Sequence, residues 1–295
     1  MSAYTHIQKV FATAEVLPFD KKSKIVLMSD CHRGTGTGAD DFSKNQNLYY
    51  VALKYYLREG YTYIELGDGD ELWKNRRFPM IAQEYRHIFS LLSRLHQSGR
   101  LHMIYGNHDM DKKNPAWVAR NLESPLGDIE PLFPGIKIRD GLILHHQPSG
   151  HKILLMHGHQ ADFFNFKLWR LSRFLVRYVW QPLELIGVQN PFDSSHSPRR
   201  ELVEGILMDW SQRENTMLIT GHTHRTVFPK KGEPPYYNDG SSVHRRYITC
   251  LEINNDSISL VKWSVQPRQD NVLYVRRDVA ESRPVTDFSE KVTYK

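Results

Sequence analysis

Five short apolar runs, each ending at a cluster of Asp, Asn or His, constrain this chain more than any other feature of its sequence. Lys24–Ser29 runs into Asp30-Cys31-His32, Tyr61–Leu66 into Gly67-Asp68, and Leu101–Tyr105 into Gly106-Asn107-His108-Asp109. Lys152–Met156 runs into His157-Gly158-His159, and Thr216–Thr220 into Gly221-His222-Thr223-His224. Runs of this length and composition predict buried strands. Helical patterns lie between some of them. One covers roughly Lys44–Arg58 and is closed by Gly60; another is marked by Ile81, Tyr85, Ile88, Leu92 and Leu95 and is ended by Gly99. Strands alternating with helices predict βαβ-type units and an α/β fold. In open α/β sheets, sites form beyond the carboxyl ends of the strands. The five polar clusters are therefore expected to converge on one edge of a sheet.

The residue types in these clusters are those of a metal site. Asp30 and His32, two apart in a loop leaving a strand, can point to one ion. The Asp68 carboxylate has lone pairs enough to bridge two ions, Asn107 offers an amide oxygen, and His157, His222 and His224 offer imidazoles. A mixed set of nitrogen and oxygen donors suits Mn, Fe, Zn or Ni better than Ca or Mg, which prefer oxygen alone. Seven ligands suffice for two ions about 4 Å apart that share a bridging hydroxide and stabilise the charge of a phosphoryl transition state. His108, beside Asn107, is the natural proton donor to the leaving oxygen. Taken singly these clusters say little, since Asp-x-His is most often a solvated loop. Their number, and the strand before each, carry the reading.

The ordered series Asp30-x-His32, Gly67-Asp68-x-x-Glu71, Gly106-Asn107-His108-Asp109, His157-Gly158-His159 and Gly221-His222-x-His224 resembles the calcineurin-like metallophosphoesterase family over roughly residues 24–265. The resemblance implies a sandwich of two mixed β-sheets flanked by helices. It implies one ion held by Asp30, His32 and His224, another held by Asn107, His157 and His222, and Asp68 bridging them. Glu71 is expected to orient a ligand, and His159 and Asp109 to support the site or touch substrate. A helical insertion after the fourth ligand strand resembles the branch that hydrolyses UDP-diacylglucosamine in lipid A synthesis, as do Gly67–Trp73 and Gly221–Arg225. That branch typically has Arg where this chain has His108, and Asp where it has His159.

The remaining features bound the partners. The chain has 295 residues, 40% of them hydrophobic, enough for a core that holds a site rigidly. Residues 1–265 are expected to form the catalytic domain, with an insertion at about 162–198, and 266–295 a peripheral arm or tail. The net charge of +6 favours anionic partners: a phosphorylated small molecule, a lipid-linked phosphate or nucleic acid. Two cysteines, Cys31 and Cys250, exclude a disulfide framework and a Cys-rich zinc module, and the Cys31 side chain is expected to point away from the site. The start of the chain carries no secretory pattern, and no run of about 18 apolar residues occurs, so a cytoplasmic protein is expected. Within the insertion, Lys167, Arg170, Arg173 and Arg177 form a basic stripe on an amphipathic helix, with Phe164, Leu168, Leu171, Leu175 and Val179 on another side. Pro182 should kink or end that helix. The segment reads as a lid that grips substrate through Arg170 and Arg173, or that rests on a membrane surface. A metal-dependent nuclease shares the same site. A scaffold of the same fold without catalysis would have lost a ligand, and none is missing.

Overall fold

The computed structural model describes residues 2–162, 165–166, 168–185 and 198–287. Two mixed β-sheets pack face to face. The strands are β1 (Glu15–Phe19), β2 (Lys24–Met28), β3 (Thr62–Leu66), β4 (Leu101–Ile104), β5 (Ile138–Arg139), β6 (Gly141–His146), β7 (Lys152–Met156), β8 (Met217–Thr220), β9 (Tyr236–Asn238), β10 (Tyr247–Asn254), β11 (Ser257–Pro267) and β12 (Leu273–Pro284). One sheet has the order β12-β11-β10-β2-β3-β4-β5, the other β1-β6-β7-β8-β9.

The two mixed sheets flanked by helices that the family resemblance implies are present, and the single sheet edge expected from strand spacing alone is corrected. β2, β3 and β4 are parallel neighbours in the seven-stranded sheet, whereas β7 and β8 run parallel in the five-stranded one. An apolar run buried on both faces does not reveal which sheet it joins. Alternation along β2 shows how the sandwich is built. Ile25 and Leu27 face the inter-sheet core with Ile64, Leu66, Leu155 and Ile219, while Val26 and Met28 face the helical layer. Full burial of each such side chain contributes about 1.5–3 kcal/mol. The layer over the seven-stranded sheet holds α2 (Gln46–Arg58), α3 (Phe78–Glu84) and α4 (Arg86–Gln97), numbered after α1 (Ala3–Thr13). α1 and the helix Pro198–Arg213 cover the other sheet.

Three local features differ from the sequence pattern. The helix expected through Ile81–Leu95 breaks at Tyr85, which lies at φ −104°, ψ 33° and donates its buried hydroxyl to Asp40 Oδ2 at 2.6 Å. The helix approaching Pro182 does not end there. Trp169–Leu175 widens into a π-helical stretch, Val176–Trp180, and continues as Gln181–Leu185. A wider turn accommodates a residue that lacks an N–H and whose ring crowds the preceding turn. The C-terminal segment pairs through β12 along the whole of β11, and Arg277 of β12 is held by Glu252 of β10 with an Nε–Oε1 distance of 2.9 Å.

Gly205 lies inside Pro198–Arg213, and a Cβ built on it meets nothing within 4 Å. Gly205→Ala is expected to raise stability by about 0.5–1 kcal/mol, read as a higher midpoint in urea unfolding. An unchanged or lower midpoint would show that the helix needs that glycine.

Candidate metal centre

The loops that follow the ligand strands hold their residues in an unfavourable backbone conformation. Asp30, His32, Asp68, His222 and His224 all have positive φ, between 49° and 71°. Such a conformation costs a non-glycine residue roughly 1–3 kcal/mol, and it persists where surroundings over-determine it. Backbone bonds between loops do so here. The N–H of Asp30 donates to Gly67 O (3.1 Å), that of His32 to Asp68 O (2.9 Å), and that of Gly221 to His157 O (3.0 Å), the last two strands belonging to the second sheet. Gly106 is required by close approach, because a Cβ there would stand 2.1 Å from Asp68 Oδ1.

The site lies between the two sheets at their carboxyl ends, and its candidate ligand atoms form compact groups. Those of Asp30, His32 and His224 lie within 4.8 Å of one another, as do those of Asp68, His157 and His222. A third such group, His32, Glu71 and His108, adjoins the first. Asn107 is buried with its Oδ1 unpartnered. Cys31 is buried in the helical-layer core.

The donor chemistry fits cations. His157 Nδ1 lies 2.8 Å from the Leu66 carbonyl, which can only accept, so Nδ1 carries the hydrogen and Nε2 keeps a lone pair in the neutral ring. That Nε2 is 3.1 Å from Asp68 Oδ2, yet it has no hydrogen-bond partner. Asp30 Oδ1 likewise has none, although His224 Nε2 is 3.0 Å away. His32 turns its Nδ1 to Glu71 Oε2 at 3.1 Å, and its Nε2 shares a hydrogen bond with His224 Nε2 at 3.2 Å. The unpartnered Asp30 Oδ1, Asn107 Oδ1 and His157 Nε2 lie among these donors, and a cation between them would satisfy several at once. Burial lowers the pKa of His32 and of His157, but the neighbouring carboxylates outweigh it. Asp30 and Glu71 raise His32, and Asp68 and Asp30 push His157 up to about 9.

Supporting groups hold this arrangement. Glu71 accepts from the N–H of Trp73 (3.0 Å) and of Lys74 (3.1 Å), and its carboxylate joins His32 to His108, whose Nδ1 is 2.9 Å from Oε1. Against burial, those two histidines keep Glu71 well below the usual carboxylate range. Asp109 fastens two ligand loops, accepting from Gly106 N (2.6 Å) and Gly69 N (3.1 Å), and pairs with Lys112. His159 is fully buried with neither ring nitrogen partnered; burial and the adjacent His157 and His222 keep it neutral.

Sequence reasoning missed several contributors. Trp73 stacks on His108 with centroids 4.1 Å apart at 23°. Asp162 Oδ2 reaches His222 Nε2 at 3.3 Å. A buried network of Arg33, Glu65, Asp70 and Lys112 underlies the Asp68 loop. Only Trp73 had a sequence signal, in the Gly67–Trp73 stretch.

The basic stripe is partly engaged with the protein itself. Arg173 pairs with Asp111 at 3.0 Å, and Arg177 donates to the carbonyls of Trp73 (2.6 Å) and Leu72 (2.7 Å). Arg170 lies 5.4 Å from the Trp169 ring. Lys167, Phe164 and residues 186–197 of the expected insertion lie outside the described residues, as do 288–295 of the arm. Among the described residues no helix is long and apolar enough to cross a membrane.

Residues 23–226 match the family model of the calcineurin-like phosphoesterases. No curated protein matches the chain. Among solved structures, a mutant cold-active protein tyrosine phosphatase is 15% identical, with 88% of this chain and 83% of that chain covered and a TM-score of 0.39. Vps29 of Chaetomium thermophilum is 10% identical, with 90% and 98% covered and a TM-score of 0.41. With a family model spanning more than half its length, the chain belongs to the calcineurin-like phosphoesterase family, which is generally hydrolytic on phosphate esters and uses divalent metals.

Proposed function

We propose that this protein hydrolyses a phosphate ester or phosphoanhydride with two divalent transition-metal ions, one held by Asp30, His32 and His224, the other by Asn107, His157 and His222, with Asp68 shared. The observation that carries the reading is the pair of compact ligand groups whose unpaired lone pairs converge, with His108 held at their rim. Bound there, such ions supply Lewis-acid stabilisation of phosphoryl oxygens and a nucleophile available near neutral pH. The mixed donor set favours Mn, with Fe, Zn or Ni as alternatives.

The chain's own residues supply the rest. Glu71 takes the Nδ1 side of His108, so a proton passed to a leaving oxygen departs from Nε2. Trp73 lies flat against the imidazole and fixes its tilt. Glu71 also fixes the His32 tautomer, coupling the proton donor to a ligand. Asp109 and the positive-φ loops keep the ligand atoms in place before substrate arrives.

The test is a panel of aryl phosphomonoesters, bis-aryl phosphodiesters, nucleotide sugars, dinucleoside polyphosphates and oligonucleotides, assayed with Mn-loaded protein. Metal-dependent turnover of at least one class is expected; none across the panel would overturn the reading. The insertion favours a narrower second reading, a substrate with an apolar part, as in the UDP-diacylglucosamine branch. Leu171, Phe174 and Tyr178 are each at least half exposed, and Leu175 and Trp180 line the cleft over the site. Arg173 and Arg177 anchor the insertion to the rim, whereas Arg170 forms no ion pair among the described residues. Liposome association that fades with salt would support peripheral membrane contact through this segment.

A further inference from the structure

The metal centre opens into a cleft of about 1610 Å³, larger than the 300–1,000 Å³ or so typical of small-ligand sites. The wall formed by the β9–β10 connection and β11 is basic. Arg245, Arg246 and Lys262 lie on it, and Lys44, just before α2, and Arg200, in the helix Pro198–Arg213, line the same cleft. None of them forms an ion pair among the described residues. The acidic residues sharing the cleft are already engaged. Asp40 accepts from Tyr85 and from the Gly36 N–H (2.7 Å), and Lys74 bridges Asp41 and Glu184.

The same wall carries an aromatic shelf. The exposed His244 ring stacks on Tyr247 at 3.7 Å and 22°, and Lys262 Nζ lies 3.9 Å from the Tyr247 centroid. Burial, Lys262 and Arg246 together lower the His244 pKa, so it offers a neutral ring at pH 7. This shelf is tied to the metal loops. The Ser242 N–H donates to Asp30 O (3.3 Å), and buried Asn45 Nδ2 donates to the carbonyls of Ser242 (2.9 Å) and His244 (2.8 Å). Uncompensated cations beside a stackable ring, on a loop fixed to the catalytic loops, form a pre-organised nucleotide platform.

We propose that this wall is a subsite for a nucleotide phosphate remote from the bond being broken, with Arg245, Arg246 and Lys44 receiving the phosphate and the His244–Tyr247 stack receiving the base. The substrate class is one in which a nucleotide lies beyond the scissile phosphate, supplied by a single-stranded oligonucleotide or by a nucleotide conjugate. The identity of the cut bond rests on the phosphoesterase reading; binding at the subsite does not.

The experiment uses the full metal-loaded chain and two fluorescent probes that resist hydrolysis: a six-nucleotide phosphorothioate oligothymidylate and a methylene-bridged dinucleoside polyphosphate. Anisotropy is expected to show salt-sensitive binding of at least one probe, and the stronger binder identifies the source. The Arg245→Ser/Arg246→Ser variant should weaken that binding about tenfold or more and flatten its salt dependence, while Arg245→Lys/Arg246→Lys retains most of it. In turnover, kcat/KM for the hydrolysable nucleotide relative to that for nitrophenyl phosphate should fall by a similar factor, through KM. Binding of neither probe, binding unaltered in the serine variant, or an equal fall for both substrates would overturn the subsite. Tight, arginine-dependent binding with no turnover of any substrate would leave the subsite standing and overturn the phosphoesterase reading instead.

Discussion

Asp68→Ala is expected to keep the fold, lose most of its bound metal and turn over roughly 10³-fold more slowly than the parent, equivalent to about 4 kcal/mol of lost transition-state stabilisation. Asp68 is the proposed ligand whose removal touches most of the site. Its Oδ1 accepts the His108 N–H at 2.8 Å, and its Oδ2 lies 3.1 Å from His157 Nε2 and 3.9 Å from His32 Nε2. It therefore stands between the ligand groups of the two sheets. Alanine removes a negative charge from the midst of four imidazoles, two of which it helps to raise in pKa. It also frees the His108 backbone. Metal analysis of Mn-loaded, desalted protein should read close to two ions per chain for the parent and one or fewer for the variant, with circular dichroism unchanged. Asp68→Asn keeps the shape and the acceptor for His108, so it should fall between them. A variant still holding two ions would remove Asp68 from the shared position.

The residues that the fold gathers into compact donor groups, Asp30, His32 and His224 on one side and Asp68, His157 and His222 on the other, stood out in the sequence because their pattern is local. Each follows an apolar strand, and a short loop leaves a side chain few directions in which to point. The pairing of the strands was not legible. Ile25 and Ile153 belong to different sheets, yet each sits in a run buried on both faces, and burial erases the alternation that distinguishes one sheet from another. Long-range partners were equally hidden. Asp162 reads as the start of an insertion until the fold brings it to His222, and nothing in the sequence near Arg33 shows that Glu65 and Asp70 will close around it. The insertion shows the opposite failure. Helical spacing placed its arginines on one stripe, but it could not show that Arg173 and Arg177 would meet Asp111 and two main-chain carbonyls. The strand β12 was missed because its mostly exposed side chains give little signal, while the open edge of β11 supplies its pairing.

His108→Ala is expected to keep both ions and lose turnover by roughly 10²–10⁴-fold on an alkyl phosphate, the range for general acid–base groups. The side chain is not among those converging in the two ligand groups that hold Asp30 and Asp68; it reaches them through Glu71, which it shares with His32. Its Nδ1 proton is committed to Glu71, and Trp73 packs against its ring, so the geometry serves one directed proton transfer at Nε2. An alkoxide leaving group needs that proton, whereas a nitrophenolate leaves readily without it. The loss should therefore shrink markedly as the leaving group improves, and the dependence of rate on leaving-group pKa should steepen in the variant. Glu71→Gln should move the same dependence in the same direction by a smaller amount, because the amide still occupies the place but no longer stabilises the protonated ring. A loss of equal size across good and poor leaving groups would mean that His108 positions the phosphate rather than protonating the departing oxygen. A loss of metal in His108→Ala would mean that it helps to hold the ions.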